Sequence, residues 1–140
     1  MTKPFFITLF ICLFSSQMKA QETGLKLYVS GAENYPTVLA YDILDQNGTR
    51  IKAGFSSLKD ARTPVVIPVP LPKRFGVVIY EDVNRNKTLD MGLFGQPTEL
   101  YAFSNDAWVF LGRPEHKETL VYSKEGWTPL RMTLKSVMDF

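Results

Sequence analysis

Cysteine is all but missing. The single cysteine of the 140 residues, Cys12, lies within the first twenty. A chain cut after Ala20 would therefore carry no disulfide, even in an oxidising compartment, and would rest on its core alone. Histidine is as scarce, with His116 the only one. Without cysteine or a second histidine, the usual zinc ligand sets and a Cys/His nucleophile pair are excluded. No Gly-x-Ser-x-Gly elbow is present to support a serine hydrolase. Between Glu115 and Lys117 in a proline-containing loop, His116 reads as a solvated side chain. An excess of one charge is lacking too. Once Lys3 and Lys19 are set aside, the 16 Lys+Arg fall to 14, level with the 14 Asp+Glu. With no basic stripe to track a phosphate backbone, nucleic acid is not an expected partner.

Long apolar runs are also wanting. Phe5 to Phe14 is an apolar stretch of ten, which at about 1.5 Å per residue reaches about 15 Å, roughly half a bilayer core. Lys3 precedes it, and the polar Ser15–Lys19 segment ends at the small residue Ala20. That is the layout of a secretory signal peptide rather than an anchor. Ile11 before Cys12 argues against a lipoprotein site. The expected organisation is a signal peptide over 1–20 and one exported domain over 21–140, periplasmic or secreted from a bacterium. No membrane insertion is expected after cleavage, and that length suits a single core.

Within 21–140 apolar residues recur at period two, and no amphipathic helix is legible. Strands are expected at Leu25–Val29, Thr37–Leu44, Arg50–Leu58, Phe75–Glu81, Leu100–Phe103, Trp108–Leu111, Thr119–Tyr122 and Trp127–Lys135. Asp45-Gln46-Asn47-Gly48 reads as a tight turn. In residues 64–72 the four prolines, Pro64, Pro68, Pro70 and Pro72, share one parity, and Val65, Ile67, Val69 and Leu71 share the other. All the missing N–H groups then fall on one side, which suits an edge strand over 64–71. Short strands with frequent turns give the expected fold class: all-β, a single antiparallel β-sandwich of about seven strands, immunoglobulin-like or transthyretin-like.

One stretch asks for a chemical explanation. After the apolar run Phe75–Tyr80, oxygen-bearing side chains occupy every second position: Asp82, Asn84, Asn86, Thr88 and Asp90. Calcium takes six to eight oxygens, often from a loop curled around it. Asp82, Asn84, Asn86 and Asp90 match positions 1, 3, 5 and 9 of such a loop, and Thr88 would offer its carbonyl at position 7. Lys87 stands where glycine makes the sharp turn, and Leu93 stands where a closing glutamate is usual. Lys87 is expected to need a positive φ, at a cost of about 1 kcal/mol. Glu99 or Glu81 would supply a missing carboxylate. With so little ligand charge, a structural calcium ion would bind weakly, at about 10⁻⁴ to 10⁻³ M. The competing reading is a plain turn whose Asp and Asn side chains bond back to the backbone.

Asp82-x-Asn84-x-Asn86-x-x-Leu89-Asp90, followed by Leu93-Phe94-Gly95-x-Pro97-x-Glu99-x-Tyr101-x-Phe103-Ser104-Asn105, resembles the family of exported bacterial proteins catalogued as domain of unknown function 2141. The resemblance covers most of residues 23–135, including Gly112-x-Pro114. This chain differs at Lys87, where the family usually has Gly, and at Ala102, where Gly is common. The resemblance implies export and a β-sandwich; it implies no established activity.

Two function classes follow from these residues. The first is a non-catalytic cell-envelope binding or accessory module, with an envelope protein or glycan as partner and a calcium loop at 82–90. The second is a glycan hydrolase using carboxylates among Glu81, Asp82, Asp90 and Glu99. An aromatic platform of Trp108, Trp127, Tyr101 and Phe103 would favour sugar stacking; the same side chains buried would be core.

Overall fold

The period-two pattern builds strands nearly where it is strongest. The computed structural model describes residues 22–110 and 112–139; the signal peptide read over 1–20 falls outside them. The strands are β1 (Gly24–Ser30), β2 (Thr37–Asp45), β3 (Arg50–Leu58), β4 (Val65–Pro68), β5 (Arg74–Glu81), β6 (Tyr101–Phe103), β7 (Val121–Tyr122) and β8 (Trp127–Thr133). They form two sheets. One has the order β4-β1-β8; the other runs β3-β2-β5-β6, with β7 also on β5. Every pairing between these strands is antiparallel except β1 with β8, which is parallel from Gly24↔Trp127 to Ser30↔Thr133.

The sheets close on one core. Leu25, Leu27 and Val29 of β1 meet Leu39 and Ile43 of β2 and Phe75, Val77 and Ile79 of β5, each at 0% exposure. These residues are all odd-numbered, so a single parity faces inward from each strand. Val65 and Ile67 of β4 and Met132 of β8 complete the layer from the smaller sheet. The result is a β-sandwich.

β4 is an edge strand, as the prolines require. The Val69 N–H donates to the Thr23 carbonyl at 3.2 Å, so odd-numbered donors face β1 and the proline parity faces away. The outward carbonyl of Pro68 is taken by Lys52 Nζ at 2.8 Å. The strand is shorter than the 64–71 expected. The turn after β2 also forms as read: Asp45 Oδ1 accepts from the N–H groups of Asn47 and Thr49 at 2.8 and 3.0 Å, and Gly48 has φ 83°.

Two expectations are corrected. Residues 108–110 are not a strand. Asn105 and Asp106 both have positive φ, 62° and 49°, which swings the chain away from β6, and Trp108 stacks on Tyr101 instead of pairing (centroids 5.2 Å apart, planes 18° apart). His116 is not a free surface side chain. It opens a 3-10 turn (His116–Thr119), lies half-buried, and its Nε2–H donates to the Asp45 carbonyl at 2.6 Å. Gly76 of β5 makes room for it: a Cβ there would stand 2.6 Å from Thr119 Oγ1 and 3.1 Å from His116 Cε1.

β5 carries β6 at Val78–Tyr80 and β7 at Arg74–Phe75, which leaves a gap at Val77. Ser104, at 0% exposure, fills it. Its Oγ accepts the Val77 N–H at 2.8 Å and donates to the Thr119 carbonyl at 2.5 Å. β5 is thus bonded along its length, and the polar loop starts from its fixed end.

Candidate cation site

The candidate site begins where β5 stops. Glu81 and Asp82 are both 1% exposed, but strand alternation sends them apart. Glu81 shares the inward parity, and its Oε2 accepts the Glu33 N–H at 3.1 Å. Asp82 turns into the loop, where its Oδ2 accepts the Lys87 N–H at 3.0 Å. Asp82 Oδ1 is buried and has no hydrogen-bond partner. An unpaired oxygen in that position is costly unless something positive meets it.

The other side chains gather rather than splay. Asn84 Oδ1 accepts the Asn86 N–H at 3.2 Å, and Asn86 Oδ1 accepts the Thr88 N–H at 3.0 Å. Each amide oxygen keeps a second lone pair. Asn84 Nδ2 donates to Asp90 Oδ2, and Asn86 Nδ2 donates to Asp90 Oδ1 at 2.6 Å. Arg85 and Lys87 lie at φ 58° and 63°, the left-handed region that side chains avoid. The backbone thus makes the sharp turn at Lys87 that the loop pattern demanded, without a glycine.

Glu99 acts as a clasp. It is 8% exposed; Oε1 accepts the Val83 N–H at 3.2 Å and Oε2 accepts the Asp90 N–H at 3.1 Å. One side chain therefore holds both ends of the loop. Sequence spacing suggested Glu99 as a spare ligand, and nothing local in the sequence signalled this tie. The Asp90 carbonyl is held in turn by Thr98, through its N–H at 2.8 Å and Oγ1 at 3.1 Å.

The structure thus links Asn84, Asn86, Thr88 and Asp90 by direct hydrogen bonds and ties Glu99 to them through the Asp90 N–H. Asp82 bonds Lys87 instead, and Glu81 turns away to Glu33. Among the described residues, no three Asp, Glu, His or Cys side chains stand as a ready-made metal cage. The donor set is instead mixed: carboxylates, amide oxygens and carbonyls, the chemistry of a hard cation with oxygen ligands. Asp82 Oδ1 is the atom that fits such an ion best.

Burial raises the Glu99 carboxyl above its ordinary 4.5, opposed by the Asp90 N–H; the Asp90 charge raises it further, the Val83 N–H opposes again, and Asp82 adds a last upward push. A carboxyl that holds its proton more tightly when folded stabilises the fold most below its unfolded value. That contribution is lost as pH rises through the folded value. Calcium-free protein is therefore expected to lose stability, relative to Glu99→Gln, as pH climbs from about 4.5 toward neutrality. Urea melts of both proteins across that range check it; parallel curves would remove the burial argument.

The aromatic platform does not assemble. Tyr101 and Phe103 are 4% and 8% exposed and meet edge to face. Trp108 lies beside Thr133, whereas Trp127 starts the same strand, six residues away, about 20 Å at strand rise.

A family model described as "Uncharacterized protein conserved in bacteria (DUF2141)" matches residues 19–128, a span that includes the whole loop and Glu99. No curated protein and no solved structure matches.

Proposed function

We propose, for a chain that belongs to the DUF2141 family of bacterial proteins, a non-catalytic binding or accessory module of the cell envelope, its 82–90 loop stiffened by a calcium ion. The observation that carries the ion is the buried, unpartnered Asp82 Oδ1, in a loop where the Asn84 and Asn86 side chains both bond to Asp90. Export rests on the leader pattern of residues 1–20, and the periplasm or the medium is the corresponding location. A partner-facing role draws support from the turn that follows the loop. Met91 bridges Pro97, and between them Leu93 and Phe94 are 99% and 91% exposed, an apolar tip with no part in the core.

A glycan hydrolase is the weaker reading. It needs two carboxyl groups facing each other across a cleft open to a sugar chain. Glu81, Asp82 and Glu99 are each less than one-tenth exposed and are engaged with backbone N–H groups.

Calorimetric titration of residues 21–140 with calcium tests the reading. One site with Kd of about 10⁻⁴ to 10⁻³ M is expected. Absence of heat at several millimolar would reduce the loop to a plain turn.

A further inference from the structure

β5 is apolar on both parities. Its odd residues fill the core; Val78 and Tyr80 point to the opposite face of the larger sheet. On that face Ala40 and Asp42 of β2 flank them on one side and Phe103 of β6 lies on the other. The loops after β5 and β6 rise around this floor and leave Val78 and Tyr80 half-buried, while Ala40 and Phe103 are largely covered. Two adjoining hollows of about 390 and 350 Å³ share Val78, Tyr80, Leu89 and Arg113. This is the size range of small-molecule sites, and the mixture is also typical, an apolar floor with few polar groups.

The charges at the rim are unequal. Arg50 is held by Asp42 through paired contacts at 2.8 and 2.7 Å, which cancels both. Arg113 lies over the Phe103 ring at 5.7 Å, and Lys87 stands on the loop wall. Among the described residues, neither has a carboxylate within ion-pair distance. Burial raises the Tyr80 hydroxyl's pKa, and Asp82, Glu99 and Asp90 lie near enough to help, but they are on the loop side. An apolar floor edged by two cations outside ion pairs is complementary to one kind of small molecule.

We propose that this outer face is a binding groove for a carboxylate amphiphile, its apolar body on Val78 and Tyr80 and its head taken by Arg113 with Lys87. The guanidinium suits a carboxylate because its paired N–H groups match the two oxygens. Stacking on Phe103 keeps it extended over the floor. The groove shares Lys87 and Leu89 with the loop above, yet its chemistry does not require the calcium ion.

Three eight-carbon probes test this: octanoate, octan-1-ol and octylammonium, titrated into ¹⁵N-labelled residues 21–140 in the presence of a chelator. Octanoate is expected to shift the amides of Val78, Tyr80 and Phe103 and to bind about tenfold more tightly than the alcohol. The ammonium should bind more weakly than either. Arg113→Gln should bring octanoate down to the level of the alcohol without moving the melting temperature. Equal binding of all three probes, shifts confined to other surfaces, no shifts at all, or an unchanged octanoate affinity in Arg113→Gln would each overturn the proposal. Because calcium is chelated throughout, the result does not depend on the ion.

Discussion

Asp82→Asn should raise the melting temperature of the calcium-free protein and abolish its response to calcium. In the native protein the 1%-exposed carboxylate has one oxygen bonded to the Lys87 N–H and one bonded to nothing. Asparagine keeps an acceptor for Lys87 and removes the buried charge. It also removes one of the two carboxylates that push the proton of Glu99 upward. Relief of about 1 kcal/mol is expected, a rise of roughly 3–6 °C for a domain of this size. Calcium has the opposite preference. With Kd of about 10⁻⁴ to 10⁻³ M, calcium at about 10 mM should add about 1.4–2.7 kcal/mol to the native protein. In Asp82→Asn it should add almost nothing. Thermal melts of both proteins, with calcium and with chelator, read all four values. A variant that is destabilised and still responds would refute this role for Asp82.

Phe75→Ala should be the most damaging single truncation, about 3–5 kcal/mol. Among the described residues, Phe75 is the largest side chain with no exposure. It sits on β5, where it pairs with Asp45 of β2 and Val121 of β7. The cavity left behind would face neighbours fixed by those ladders, so collapse would be partial. Phe55→Ala is the matched control. Phe55 is 45% exposed on β3, and its loss should change stability by about 0.5 kcal/mol or less. Chemical denaturation of the two variants checks the ordering; equal losses would mean that the inward parity is misassigned.

That parity was the most legible part of the sequence. Leu25, Leu27 and Val29, and Phe75, Val77 and Ile79, declare their faces because alternation is a local property of the chain. Proline parity declared the edge for the same reason, and oxygen at every second position from Asp82 declared the loop. The need for positive φ at Lys87 was readable from its place in the turn. The rest depends on distant parts of the chain. Nothing in β1 or β8 states that they run parallel, because their pairing joins opposite ends of the domain. Glu99 closes a loop whose first tied residue is sixteen positions earlier, and Ser104 fills a gap created by two strands that both end on β5. The groove was written in the even residues of β5, but an apolar outer parity looks the same whether a loop covers it or not.

The most direct measurement is a crystal structure of residues 21–140 grown with about 10 mM calcium. The account predicts an ion about 2.3–2.6 Å from Asp82 Oδ1, with oxygens of Asn84, Asn86 and Asp90 in the same shell. Asp82 Oδ1 meeting only a water or a protein N–H, with no ion in the loop, would contradict it.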